Sequence, residues 1–170
     1  SAASDVYKRQ PFIHTFGVFA YRRPYDQLLA SIAYPRRRVR IMGFLPGITT
    51  PAGMTHQAIE DIAVMRTIPN MTVLHPCDDL SAEELTIQLL NHDKPSYTRT
   101  ARNKVPRVYT EDNVSEIKIG KGNVIEDGKD VAIIACGVMV NEAKIAAQKL
   151  SEKGINAVSY THLRAHETPE

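Results

Sequence analysis

The stretch "THQAIEDIAVMRTIPNMTVLHPCD", residues 55–78, decides the architecture. Ile59, Ile62, Ala63 and Arg66 recur at helical spacing, and Glu60 and Asp61 suit the early turns, where unpaired N–H groups favour negative charge. The pattern predicts a helix over "HQAIEDIAVMRTI", residues 56–68, stopped by Pro69, and then a buried strand in "MTVLHP", residues 71–76. Upstream, "GFLPGITTPA", residues 43–52, mixes glycine, proline and threonine without periodicity and is expected to be loop. His56 is therefore expected where a loop hands over to a helix N-terminus. Free N–H groups there bind negative charge, and an imidazole can hydrogen-bond a ligand. Local pattern alone leaves open the commoner alternative, that His56 caps or packs its own loop.

Outward from this stretch the alternation repeats. "PFIHTF" (11–16), "VRIMGF" (39–44) and "PSYTRT" (95–100) are expected strands, and "RPYDQLLASIAY" (23–34) is an expected helix with Pro24 at an early position. "SAEELTIQLLNH" (81–92) is expected to be a helix opened by a capping box of Ser81 and Glu84. Strands separated by helices of this length imply an α/β fold, an open, mainly parallel sheet with helices on both faces. After Pro106 the pattern changes. "SEIKIGKGNVIEDG" (115–128) suggests a hairpin or edge ribbon, "DVAIIACG" (130–137) a strand, and "VMVNEAKIAAQKLSEKG" (138–154) an amphipathic helix ending at Gly154. A boundary near residues 107–114 would divide a first domain over 11–107 from the truncated start of a second over 114–157.

Both ends read as foreign. "SAASDVYKRQ", residues 1–10, and "VSYTHLRAHET", residues 158–168, back-translate to nucleotide stretches that are reverse complements of each other, GATGTGTATAAGAGAC and GTCTCTTATACACATC. Such an inverted repeat resembles the transposon-end adapters of sequencing libraries. Residues 1–10 and 158–170 are accordingly expected to be translated adapter and are set aside.

The net charge is +2, a mild balance that gives no footprint for nucleic acid or an anionic membrane. Arg36–Arg38 is the only basic run, expected as a solvated turn before a strand. No apolar stretch approaches the roughly 20 residues of a membrane span. The two cysteines, Cys77 and Cys136, imply neither a disulfide framework nor a metal motif, which favours a reducing, cytoplasmic setting. Metal-ligand clusters, phosphate-cradling glycine loops and nucleophile elbows do not occur in the sequence.

What remains for chemistry is a set of residues at the C-terminal ends of the expected strands, where open parallel sheets place ligands. Phe16 and Phe19, three apart in "TFGVFAYRR", can stack a flat heterocycle, with core packing as the alternative. Arg22 and Arg102 can bind a phosphate by charge-assisted bonds, with surface solvation as the alternative. His75 ends a strand beside Pro76 and reads as structural.

These residues carry a resemblance. "THQAIEDIAVMRTIPNMTVLHPCD", "TFGVFAYRRPYDQ" and "TARNKVP" resemble, in the family's order, the pyrimidine-binding domain of transketolases. The match is best to bacterial and archaeal enzymes whose C-terminal half is a separate subunit. "DVAIIACGVMVNEAKIAAQKL" looks like the start of the family's C-terminal domain. The resemblance implies a thiamine diphosphate enzyme that transfers a two-carbon ketol unit between sugar phosphates. It implies that Phe16 and Phe19 pack the aminopyrimidine ring, and that His56 faces substrate oxygens and assists proton transfer. Arg22 falls at a site-facing position, and Arg102 binds the sugar phosphate. The diphosphate and its divalent ion, Mg by expectation, would be held by an N-terminal diphosphate-binding subunit in a homodimeric or heterotetrameric assembly. The glutamate that promotes ylid formation precedes Pro11 in the family, so this fragment is expected to be inactive alone.

The loop before His56 departs from the family, which carries G-E-D-G before T-H-Q and a histidine at the end of the preceding strand. Ala52 stands in place of the acidic residue, and Leu45, or Phe44 if the gap lies elsewhere, in place of the histidine. A sugar donor other than xylulose phosphate is expected. Competing expectations are a 1-deoxyxylulose-5-phosphate synthase-like enzyme, a 2-oxoacid dehydrogenase β-subunit-like enzyme, and a non-catalytic partner domain of the same fold.

Overall fold

A computed structural model describes residues 10–161. Residues 1–9 and 162–170, most of the expected adapter translation, lie outside the described residues. The chain builds β1 (Phe12–Phe16), α1 (Gly17–Tyr21), α2 (Tyr25–Gln27), β2 (Arg40–Phe44), α3 (Asp61–Thr67), β3 (Thr72–Leu74), α4 (Asp79–Leu90) and β4 (Ser96–Thr100). After these come β5 (Asn123–Glu126), β6 (Val131–Ala135), α5 (Met139–Ser151) and β7 (Ala157–Thr161). The first four strands pair in the order β1-β2-β4-β3, all parallel, an arrangement that needs the long crossovers the helices supply. The α/β class and the parallel sheet with its helices therefore hold. The second sheet has the order β5-β7-β6, with β5 antiparallel and β6 parallel to the central β7. β7 takes in residues 158–161 of the expected adapter tail.

Two apolar clusters hold the chain together. Val18, Tyr21, Leu28, Ile41, Met65, Ile68, Met71 and Tyr97 form one around the first sheet. Leu74, Leu80, Leu85 and Leu89 form the other with Val108, Tyr109 and Ile117 of the connecting segment and Val140 of α5. The second cluster is what joins the two sheets. Asp78 reinforces that join: its Oδ1 accepts from the backbone N–H of Ser81 at 2.8 Å, and its Oδ2 from those of Val108 and Tyr109 at 2.8 and 2.9 Å. One buried carboxylate thus caps α4 and pins the connection.

Several elements differ from the sequence-based expectation, each for a local reason. The cap of α4 is Asp78, with Ser81 at the third helical position returning a bond to the Asp78 N–H at 3.0 Å; Glu84 instead bonds Gln88. The helix expected from His56 starts at Asp61, because Ala58 is taken by a bridge to Gly47, whose N–H donates to the Ala58 carbonyl at 2.8 Å while the Ala58 N–H donates back at 3.1 Å. His56 therefore sits within a closed loop, not at a helix N-terminus. Of the hairpin or edge ribbon expected over 115–128, the edge strand forms, as β5, and the hairpin does not: the Gln88 side chain donates to the Ile117 carbonyl at 2.7 Å and accepts from the Ile119 N–H at 3.0 Å, taking the backbone bonds a partner strand would make. β5 pairs instead with β7. The helix expected over residues 23–34 forms, its second half, Leu28–Ala33, wound as a π-helix. The basic run does make a turn, with Arg36 at φ +54°. Arg38, however, donates to the carbonyls of Leu90 and His92, and the fully buried Arg40 to those of Leu89, His92 and Lys94. Both complement the partial negative charge at the α4 C-terminus.

Candidate active site

Three aromatic rings from separate segments meet at the C-terminal end of the first sheet. β1 ends at Phe16, and α1 begins at once, so that Phe19 turns back toward it. Their centroids lie 5.7 Å apart, edge to face. The His56 ring comes from the 47–58 loop and lies 5.6 Å from Phe16 and 5.1 Å from Phe19, also edge to face. Phe44, at the end of β2, completes the cluster 4.8 Å from Phe16, and the Arg23 guanidinium lies 4.1 Å over the Phe19 ring. The sequence does not signal α1, which is five residues long and opens on glycine. Gly17 is required by packing: a Cβ there would lie 3.2 Å from both the Ala58 Cβ and the Tyr97 hydroxyl.

The His56 Nδ1 lies 2.9 Å from the Thr55 hydroxyl, which orients the ring from its own loop. Arg22 reaches the same loop from α1. Its Nε donates to Glu60 at 2.6 Å and its Nη1 to the Met54 carbonyl at 3.4 Å. Of the residues singled out from sequence, Phe16, Phe19 and His56 are therefore in mutual contact, and Arg22 braces the loop that carries His56. Arg102 stands apart and exposed beyond β4, between Ala101 and Asn103, which line a cleft of about 440 Å³ with Pro76, Asp78 and Lys104.

The two candidates for the position where the family carries its strand-end histidine are apolar here in different ways. Leu45 is buried, at 6% exposure, with φ at +55°, and Phe44 belongs to the aromatic cluster. Neither offers a hydrogen bond to a ligand.

Beneath the loop lies a polar network that sequence reading missed. Asp61, wholly buried, accepts from the Tyr97 hydroxyl at 2.7 Å and the Arg99 Nε at 2.8 Å. Arg99 Nη2 donates to the Ala58 carbonyl at 3.3 Å, and its Nη1 faces His75 Nδ1 at 3.3 Å. Burial, with the positive charge of Arg99 adding to it, pushes the His75 pKa down to about 3, so the ring is neutral. The signal was available in "SYTRT", where Tyr97 and Arg99 fall on one face of a strand.

The family model of the transketolase pyrimidine-binding domain matches residues 2–108 of this chain. The chain belongs to the transketolase family. The transketolase C-terminal domain model matches residues 120–158. Among its relatives in that family is the 6-deoxy-6-sulfo-D-fructose transketolase subunit SqwH of Clostridium sp. (strain MSTE9), 42% identical over 86% of this chain and 45% of its own length. Another is a subunit of the apulose-4-phosphate transketolase of Phocaeicola vulgatus, 39% identical over 82% of this chain and 45% of its own length. The chain thus spans about half the length of these curated relatives. A solved split gene transketolase, an inactive beta4 tetramer, superposes with a TM-score of 0.87 over 96% of this chain and 52% of its own, at 36% identity. The likeness is to transketolases of the split type. Among the described residues, no helix is long and apolar enough to cross a membrane.

Proposed function

We propose that this chain is part of a thiamine diphosphate-dependent transketolase subunit that moves a two-carbon ketol unit between sugar phosphates, and that it is inactive without its partner. The observation that carries the reading is the meeting of Phe16, Phe19 and His56 at the C-terminal end of a parallel sheet. That donor set fits the ring half of the cofactor: aromatic edges and faces for a flat pyrimidine, with one titratable imidazole beside them. Phe16 and Phe19 would hold the ring. The bound cofactor supplies the carbanion chemistry, and the protein orients and stabilises charge.

In this reading His56, steadied by Thr55, hydrogen-bonds substrate oxygens or moves a proton to and from them. Arg102, exposed beyond β4, takes the sugar phosphate. Arg22 braces the loop through Met54 and Glu60, and an anionic substrate would have to compete with the Glu60 carboxylate for it. The diphosphate and a Mg ion fall to an N-terminal diphosphate-binding subunit, in a homodimeric or heterotetrameric assembly in the cytoplasm. The apolar Leu45 and Phe44 and the small Ala52 leave this loop without the groups that contact ordinary pentose phosphates in the family. The preferred donor therefore differs from xylulose phosphate, as the names of the sulfo-sugar and apulose relatives suggest.

Calorimetry on the full-length parent tests this reading. Thiamine diphosphate should bind tightly only when the partner subunit is present, and Phe19→Ala should weaken it by about 0.5–1.5 kcal/mol, the scale of an aromatic pair, while the protein stays folded. Unchanged affinity with a sharply lowered Tm would make Phe19 simple core.

A further inference from the structure

The loop that carries His56 has few apolar anchors. Ile48, Met54 and Ile59, at 76, 77 and 68% exposure, all face outward, and the loop closes on itself through the Gly47–Ala58 bridge and a 3.4 Å bond from the Gln57 amide to the Thr50 carbonyl. Ala58 packs into the first apolar cluster, and the side-chain hydrogen bond that ties the bridge to the fold comes from a buried cation. The Arg99 guanidinium, its side chain 12% exposed, is held at Nε by the wholly buried Asp61 carboxylate, and from there Nη2 reaches the Ala58 carbonyl at 3.3 Å. That carbonyl also receives the Gly47 N–H at 2.8 Å, so the arginine bonds the loop at its closing pair. Tyr97 sets the carboxylate from the next position on the same face of β4. The other ion pair on the loop, Arg22–Glu60, is open to solvent at 37 and 40% exposure and braces its far side.

We propose that Asp61 and Arg99 are positioning residues for the active-site loop: the carboxylate aims the guanidinium, and the guanidinium fixes the Gly47–Ala58 closure from which His56 is presented. This rests on the transketolase reading for its catalytic consequence, but not for the clamp itself. The fork shape of the guanidinium is what the arrangement needs, since one group must serve the carboxylate with Nε and the carbonyl with Nη2. A lysine keeps the charge beside Asp61 and cannot span both. Neither residue touches a reacting atom; they act through the loop.

The test uses Arg99→Lys, with Asp61→Asn as a second variant that keeps a partner for Tyr97, and reads hydrogen exchange on the chain itself. The expected result is that the amides of Gly47 and Ala58 exchange at least about tenfold faster in the variants, while those of the β2–β4 ladder keep their protection. In the full-length parent assembled with its partner, Arg99→Lys should lower kcat by about 10–100-fold with the dissociation constant of thiamine diphosphate unchanged, because a displaced side chain costs rate and not ring stacking. Wild-type protection at Gly47 and Ala58 in both variants would overturn the clamp. Faster exchange with unaltered kcat in an active enzyme would overturn the positioning role. Faster exchange in a parent that performs no ketol transfer even as wild type would instead overturn the transketolase reading and leave the clamp standing.

Discussion

Two arginines hold the loop that presents His56, and they do so in opposite surroundings. Arg22 meets Glu60 at the surface, and Arg99 meets Asp61 in the interior, where the carboxylate is wholly buried. Water and salt screen the first pair, and its side chains gain little by being ordered. The second pair has no solvent to replace a lost partner, so each member depends on the other. The lesson is that an ion pair's role in a site follows from burial more than from distance. The outer brace is free to exchange Glu60 for an anionic ligand, whereas the inner one belongs to the frame.

Four perturbations separate the inner pair from the outer one, in order of falling cost. Asp61→Ala leaves the Arg99 charge buried without a partner and should cost about 3–5 kcal/mol by denaturant unfolding. A loss below about 1 kcal/mol would place Arg99 in the same class as Arg22. Tyr97→Phe removes one hydrogen bond to the same buried carboxylate and should cost about 1.5–3 kcal/mol, the range for bonds to charged groups.

Acid comes next, through His75 beside Arg99. Its folded pKa of about 3 lies below the ordinary value of 6.5, so on acidification the unfolded chain takes up the proton first. The stability owed to neutral His75 is whole above pH 6.5 and is lost as the pH falls toward about 3, at up to about 1.4 kcal/mol per unit. Between pH 6.5 and 5 about 2 kcal/mol should go, and His75→Gln should flatten that slope. An equal slope in the variant would assign the acid sensitivity to other groups. Smallest is Glu60→Gln at the surface, expected to cost less than about 1 kcal/mol and to remove a salt dependence that wild type shows. A larger, salt-insensitive loss would contradict the solvated character of the outer pair.

Much of the fold was legible because its strands and helices announce themselves by period. β1, β2, β3, β4 and α5 fall within the expected stretches, and α4 overlaps its own but starts two residues early, at Asp79. What stayed hidden depended on contacts distant in sequence. α3 starts later than its pattern because Ala58 pairs with Gly47, eleven residues back, and of the hairpin or edge ribbon over 115–128 only the edge strand forms, because the amide of Gln88 takes the place of a partner strand. In the site, the aromatic pair and His56 were legible as a cluster at strand ends. Arg99 and Asp61 were not, since charged residues read as surface until the strand and the helix that bury them are placed together. Leu45 illustrates the same limit: the sequence identifies its departure from the family, but not that the side chain turns inward at positive φ.

In the proposed function, ketol transfer needs this chain, a diphosphate-binding partner and thiamine diphosphate together. The most direct measurement is two-carbon transfer from a panel of ketose phosphates and modified ketoses to an aldose phosphate, using the assembled full-length parent saturated with cofactor and Mg. Transfer should disappear when either subunit is omitted, favour a donor other than xylulose phosphate, and fall by about 10²–10⁴-fold in turnover in His56→Ala. No transfer from any donor by the assembled, cofactor-saturated protein would contradict the proposed function.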